Sequence, residues 1–288
     1  MADGRQSCEV LANATACLQQ GRRVLIIAIG WFTVFKKKTR HLDDDCGYRK
    51  IIRSLADEGA YVVLFNTEPE EQYFHQALEV SQEVGGREVW TYSHAHMDYY
   101  RQNASVLLPR YVPPGCAEFL KVGVDIDSPA SSLEDVGFIG NWMGRDVALK
   151  ARFVKAIEHH LRFGHANNHS EWRRYLEHTP LQFNMHGKGN QIWAFEALRA
   201  AMIAINYGCL LSQHANPGDE VEWDGIVHFG HPNTLARQYK ALHNNSATVR
   251  ECRQNAHDLF CAKFIPKDIL ARSGFVEEVL ERWTGKGS

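Results

Sequence analysis

The sequence predicts an α/β protein of two Rossmann-like domains, each a parallel sheet covered by helices, facing one another across a cleft. Three observations carry that prediction. A strand followed by a glycine-bearing loop and a helix occurs at Val24 and again at Val136. The stretch from Gln182 to Phe229 reads β-loop-α-β-loop-β, the repeating unit of a parallel sheet. Between the two halves lies Gly123 to Glu134, rich in Asp, Ser and Pro, with the composition of a linker. The expected division is an N-terminal domain over 1–125, a linker over 126–134 and a C-terminal domain over 135–274. A C-terminal helix over 275–288 is placed to pack back on the first domain.

The elements follow in order from periodicity. Cys8 to Gln20 carries Val10, Leu11, Ala14 and Leu18 at helical spacing. Val24 to Ile29 is a buried strand closed by Gly30, where a ligand can approach the backbone. Trp31 and Phe32, just after it, either wall an acceptor pocket or fill core. A helix from Asp45 or Cys46 to Glu58 leads to the strand Tyr61–Phe65, with Asn66, Thr67, Glu68 and Glu70 at its carboxyl end. A helix over Phe74–Val84, a strand over Glu88–Tyr92 and a short helix over Tyr99–Ala104 come next. Val106–Leu108 reads as a short strand broken by Pro109. In the second half, the strand Val136–Gly140 precedes a long helix from about Val147 to Arg162. A further helix begins at Trp193 and stops at Asn206-Tyr207-Gly208, and Cys209–Leu211 is a buried strand. Helices over Thr234–His243, Ser246–Cys261 and Phe275–Trp283 complete the chain.

Composition narrows the function classes. The 288 residues are 44% hydrophobic and 23% charged, ordinary for a soluble globular chain. A net charge of -2 and the absence of a basic stripe with interleaved aromatics exclude a dedicated nucleic-acid binder. Seven cysteines, an odd number with no CxxC pair, read as reduced thiols of a cytoplasmic protein. No apolar run reaches the length of a membrane span, and Met1 to Arg23 is too polar for a signal peptide. The chain has no P-loop, no GxGxxG, no GxSxG elbow and no HExxH, which removes the commoner NTPases, dehydrogenases, hydrolases and zinc proteases.

Polar residues gather where parallel strands end: His186, Glu196, Arg199, Ser212 and Gln213. Glu196 and Arg199 lie one helical turn apart and share a face. They form either an exposed ion pair or a ribose and phosphate site. Arg145, after a strand and glycine turn, either pairs with a diphosphate through its two-pronged guanidinium or is a surface residue at a helix start. His94, His96 and Asp98, and His159, His160, His165 and His169, raise the question of a metal. Their spacing lacks a convincing third ligand, so no metal site is assigned.

Short motifs in order then resemble the GT-B glycosyltransferases, closest to short bacterial and viral members, and are similar to spore-coat CgeB-type and group 1 enzymes. They are Phe65-Asn66-Thr67-Glu68, Val89 to Ser93, Leu107 to Pro113, Val136 to Gly140 with Arg145, Phe183 to His186, Phe195 to Arg199, and Gly208 with Leu211-Ser212-Gln213. Two departures stand out: Gln213 replaces the acid that usually follows the serine, and Thr91 replaces an aspartate.

The resemblance implies transfer of a sugar from a nucleotide-sugar, foremost a UDP-sugar, to a hydroxyl of a glycan or other acceptor. It places the donor nucleotide in the C-terminal domain, on Gly140, Asn141, Trp142, Arg145, His186, Glu196, Arg199, Ser212 and Gln213. The acceptor falls to the N-terminal domain, beside Gly30, Trp31 and Phe32. An inverting enzyme needs a general base, for which Glu68 comes first and Glu70, His94 and Asp98 follow. Glu68 can equally be a loop carboxylate capping the next helix. A divalent metal is not expected to be essential, and the protein is expected to act as a monomer or homodimer. The alternatives are a non-catalytic nucleotide-sugar binder, or a nucleotide-sugar hydrolase or epimerase of the same fold.

Overall fold

The computed structural model describes residues 4–29, 48–69, 72–103, 107–127, 135–139, 151, 160–164, 169–187, 190, 192–243 and 245–281. They divide into two compact units. Unit 1 is Met1–Tyr92, His96–Val112 and Ser273–Ser288; unit 2 is Ser93–Ala95 and Pro113–Arg272. The chain therefore changes unit between Val112 and Pro113, ahead of the expected linker over 126–134.

Unit 1 opens with α1 (Gly4–Gln19) and β1 (Leu25–Ile29), then α2 (Tyr48–Asp57), β2 (Tyr61–Phe65), α3 (Gln72–Glu83) and β3 (Glu88–Thr91). Next are α4 (His94–Asn103) and β4 (Leu108–Tyr111). The four strands are parallel in the order β1-β2-β3-β4. Helix α2 buries Ile52 and Leu55 against the sheet, and Val62, Val63 and Leu64 of β2 are fully buried. Gly59 ends α2 at φ +104, the left-handed position that only glycine takes without strain, and Ala60 N–H returns to Leu55 O at 2.8 Å. Glu88 is buried yet satisfied: it accepts from Tyr61 Oη, Trp90 Nε1 and Arg110 Nε, all within 2.9 Å. Arg110 also donates to Ser273 O and Glu278, while Phe275 packs edge-on against Trp90 at 4.9 Å. These contacts tie Ser273 onward into unit 1, including the π-helical turn Val276–Glu281.

Unit 2 holds five parallel strands in the order β6-β5-β7-β8-β9: β5 (Asp135–Ile139), β6 (His160–Gly164), β7 (Leu181–Asn184), β8 (Cys209–Gln213) and β9 (Val227–Gly230). Its helices are α5 (His169–His178), α6 (Ala197–Ile205), α7 (Pro217–Glu222), α8 (Pro232–His243), α9 (Ser246–Lys263) and α10 (Pro266–Arg272). One core joins Val136 and Phe138 of β5, Leu181 and Phe183 of β7, and Leu211 of β8 to Leu235 and Tyr239 of α8. Every residue of β7 and the first four of β8 are buried, as a sheet covered on both faces requires, with Gln182 and Asn184 among them.

Several sequence expectations are corrected. The helix expected to run to Arg162 has given way by His160 to β6, which pairs with β5 along Asp135–Ile139. A helical apolar stripe cannot fix the end of a helix when an adjacent strand offers an unpaired edge. Pro109 does not break a strand but lies within β4, opposite Val89. That strand is at the sheet edge, where a missing N–H costs no ladder bond. The first strand is not wholly buried: Ile27 and Ile29, which share one face of β1, are 39% and 59% exposed, while Ala28 on the other face is buried.

Helix α4 starts at His94 rather than Tyr99, and α6 starts at Ala197 rather than Trp193. The reduced-thiol reading fails for four cysteines, since Cys116–Cys261 and Cys209–Cys252 are disulfides, while Cys17 is free. The paired cysteines are 145 and 43 residues apart, so spacing gave no hint of them. Among the described residues, no helix is long and apolar enough to cross a membrane.

Candidate functional site

In unit 2, parallel register sets Asn184, the last residue of β7, beside Ser212 of β8. Asn184 Nδ2 donates to Ser212 Oγ at 3.0 Å, and Ser212 Oγ donates to Gln213 O at 3.0 Å. Arg199, on the first turn of α6, donates to Asn184 Oδ1 at 2.5 Å and to the Glu196 carboxylate. Its guanidinium lies 5.6 Å from the Phe138 ring of β5. The side chains of Glu196 and Arg199 are only 8% and 17% exposed. The pair is therefore not the exposed ion pair that spacing alone allowed. A buried carboxylate and cation, hydrogen-bonded to an amide and a hydroxyl, form a polar group at the carboxyl ends of two adjacent strands. In open parallel sheets, ligands bind there.

Helix α6 begins at Ala197 because the residues before it are held in other conformations. Glu196, its N-cap, has φ −83 and ψ 62 and makes no side-chain cap bond, so its carboxylate is directed to Arg199 instead. Trp193 has φ +58, a left-handed conformation that a bulky residue rarely adopts. The backbone that follows it is fastened by two side chains and a backbone amide. Asn216 N–H donates to Trp193 O at 2.9 Å. Asn190 accepts from Ala194 N–H at 2.8 Å and donates to Ala194 O at 2.7 Å.

His186 follows β7, and both its ring nitrogens are engaged. Nε2 lies 2.6 Å from His214 O, and a carbonyl can only accept, so the proton sits on Nε2. Nδ1 then accepts from Asn190 Nδ2 at 3.1 Å. Gln213 Oε1 accepts from the His186 backbone N–H at 3.3 Å, so the amide at this position serves the loop itself.

Asp219 of α7 was not legible as a site residue, yet it is fully buried at the same place. It accepts from Ser93 Oγ at 2.5 Å, His94 N–H at 2.7 Å and Phe195 N–H at 3.3 Å. Burial raises its carboxyl above the ordinary aspartate range, and the opposing pull of those three donors does not reverse it. Asn184, Asn190, Trp193 and Asp219 were all missed as site residues. Asn184 stood inside a quoted motif, whereas nothing in the local sequence of the others marks them.

In unit 1, Glu68 stands just past the end of β2. Its N–H donates to Asn66 Oδ1 at 3.1 Å, an Asx-type turn, and Asn66 in turn donates to Tyr100 Oη at 3.0 Å. The turn fixes the backbone of Glu68 and leaves its side chain half-buried. Asp98 is exposed and pairs loosely with Arg101 at 3.9 Å. His94 and His96 do not share a face, being two residues apart on a helix instead of on a strand. His96 is fully buried, bonded through Nδ1 to Thr91 Oγ1 at 2.5 Å, and its Nε2 has no hydrogen-bond partner among the described residues. Desolvation pushes its pKa down to about 3.

Gly30, Trp31, Phe32, Glu70, Gly140, Asn141, Trp142 and Arg145 lie outside the described residues. Among the described residues, one grouping has metal-ligating side chains close together: Cys209, His228 and Cys252. Its two sulfurs are joined as a disulfide and so are not thiolate ligands.

No protein-family model and no curated protein sequence matches the chain. Solved structures do. It is similar to TarM (TM-score 0.57, 11% identity, 86% of this chain and 53% of that one). It is also similar to an alpha-glucosyltransferase in complex with UDP and a 13-mer DNA containing a HMU base (TM-score 0.57, 9% identity, 92% and 82%). HepE from Anabaena, in complex with UDP and glucose, is a third (TM-score 0.53, 10% identity, 93% and 80%). The chain spans about half the length of the TarM chain. Two α/β units with parallel sheets, aligned over most of this chain with such structures, define the GT-B glycosyltransferase fold.

Proposed function

We propose that this protein transfers a sugar from a nucleotide-sugar, foremost a UDP-sugar, to a hydroxyl of a glycan or other acceptor. One observation carries the reading: the buried Glu196–Arg199–Asn184–Ser212 chain at the carboxyl ends of β7 and β8, in a fold of this type. Glu196 takes the ribose hydroxyls and Arg199 faces the phosphates, with Arg145 as a further partner. Two of the fold relatives were solved with UDP, which agrees with the donor class.

The reaction is inverting in this reading. Glu68 accepts the proton of the acceptor hydroxyl, whose oxygen attacks the anomeric carbon. The bond from that carbon to the nucleotide breaks, and the diphosphate leaves with the electron pair. Fixed cations and helix N-termini stabilise the departing charge, so the reaction proceeds without a divalent metal.

The test is to incubate the protein with UDP-glucose and other UDP-sugars, with and without an acceptor panel, and to follow UDP release in the presence of EDTA. Acceptor-dependent release supports transfer. Release without acceptor supports hydrolysis instead. Donor binding with no release supports a non-catalytic binder, a reading favoured by Gln213, whose amide is occupied by the His186 backbone.

A further inference from the structure

Trp193 combines two properties that rarely coincide. It holds a left-handed backbone conformation (φ +58), and its side chain is 45% exposed. A strained residue persists only where its surroundings over-determine it, and strain of this kind collects at ligand sites. Here the restraints are explicit. Trp193 O receives Asn216 N–H, Ala194 is clamped in both directions by Asn190, and Phe195 N–H is held by Asp219. Ala194 and Phe195 are completely buried. The backbone from the Trp193 carbonyl to Phe195 is thus anchored beside one large apolar side chain that is left half in solvent.

Packing does not explain that side chain, because glycine or asparagine would take the same backbone position with less strain. Its location offers a reason. Trp193 lies three residues before Glu196, and its ring is 6.4 Å from that of His186. The polar groups of the site suit hydroxyls and phosphates, and the Phe138 ring beside Arg199 is fully buried. The half-exposed indole offers a flat apolar surface, and its face favours the flat face of a ring.

We propose that Trp193 is the stacking platform for a ring of the bound donor. The shared chemistry is a flat ring face, either the C–H face of the hexose or the face of the nucleobase. This inference rests on the donor-binding reading above.

The experiment is calorimetric titration of the full chain and of Trp193→Ala, Trp193→Phe and Trp193→Asn with UDP and with UDP-glucose, alongside each variant's melting temperature. Trp193→Ala should weaken binding roughly tenfold, and Trp193→Phe should restore most of it. Trp193→Asn should lose affinity while melting no lower than the parent, because asparagine accepts this backbone more readily. Weakening towards both ligands identifies the base as the stacked ring; weakening towards UDP-glucose alone identifies the sugar. Affinities within twofold of the parent for both ligands in Trp193→Ala would overturn the inference and leave the donor reading standing. A parent chain that binds neither ligand would overturn both.

Discussion

Arg199 Nη1 donates to Asn184 Oδ1 at 2.5 Å, fixing a cation from the start of a helix to an amide at the end of a strand. The link spans 15 residues of chain and converts a helical i,i+3 pair with Glu196 into a positioned site. Arg199→Ala should abolish most nucleotide affinity and leave the Glu196 carboxylate buried without its cation. Breaking a buried pair costs on the order of 3 kcal/mol, so the melting temperature should fall as well. Glu196→Gln keeps the shape and removes the charge, and should reduce affinity with a smaller loss of stability. Calorimetry and thermal denaturation of both variants check this. Unchanged affinity in both would remove these residues from the donor site.

Glu68 tests the chemistry separately from binding. Glu68→Gln should lower transfer by about a hundred- to ten-thousandfold, the usual contribution of a general base, while UDP affinity stays the same. The Asn66 turn holds the Glu68 backbone, so the variant should fold normally. Full transfer activity in Glu68→Gln would leave the residue only its place in the Asn66 turn.

His96 gives a signature in acid. Its folded pKa of about 3 lies below the ordinary 6.5, so the unfolded chain binds the proton first as pH falls. The stability tied to neutral His96 is complete above pH 6.5 and is lost progressively as pH drops towards 3. Between pH 6.5 and 4.5 the parent should lose about 2 kcal/mol more than His96→Gln in urea unfolding. Parallel pH profiles for the two proteins would show that His96 is not buried neutral.

The disulfides make a prediction about the denatured chain. In the chain-entropy picture, loops of 145 and 43 residues correspond to about 5 and about 4 kcal/mol, with Cys116–Cys261 the greater. Cys116→Ser should therefore lower the melting temperature more than Cys252→Ser. Thiol titration of the unreduced, denatured protein should show that Cys116, Cys209, Cys252 and Cys261 do not react. Reaction of all four would return the chain to the reduced-thiol reading that its cysteine count first suggested.

What the sequence made legible was chiefly local. The apolar runs of β2 and β8 fix buried parallel strands, and Gly59 and Gly208 mark helix ends, the first by its left-handed backbone and the second by its close approach to Ile203, because such signals act over a few residues. The helical spacing of Glu196 and Arg199 was equally readable. Their burial was not, since it depends on Asn184 and Phe138, brought near by the register of the sheet. His160 became a strand because β5 had an edge to fill, and Asp219 became a hub because α7 carries it to Phe195. Both facts belong to tertiary packing. Trp193 read as the first apolar residue of a helix, because its left-handed backbone is imposed by Asn190 and Asn216 and leaves no mark on the hydrophobic pattern.

The central claim, that unit 2 binds a nucleotide-sugar donor, is tested most directly by a thermal-shift panel of UDP, GDP, CMP and their sugar conjugates on the unmodified chain. A ligand that binds only the folded state raises the melting temperature by mass action. The account predicts a rise with UDP and UDP-sugars that grows with concentration and is absent in Arg199→Ala. A well-folded protein whose melting temperature moves with none of these nucleotides would contradict it.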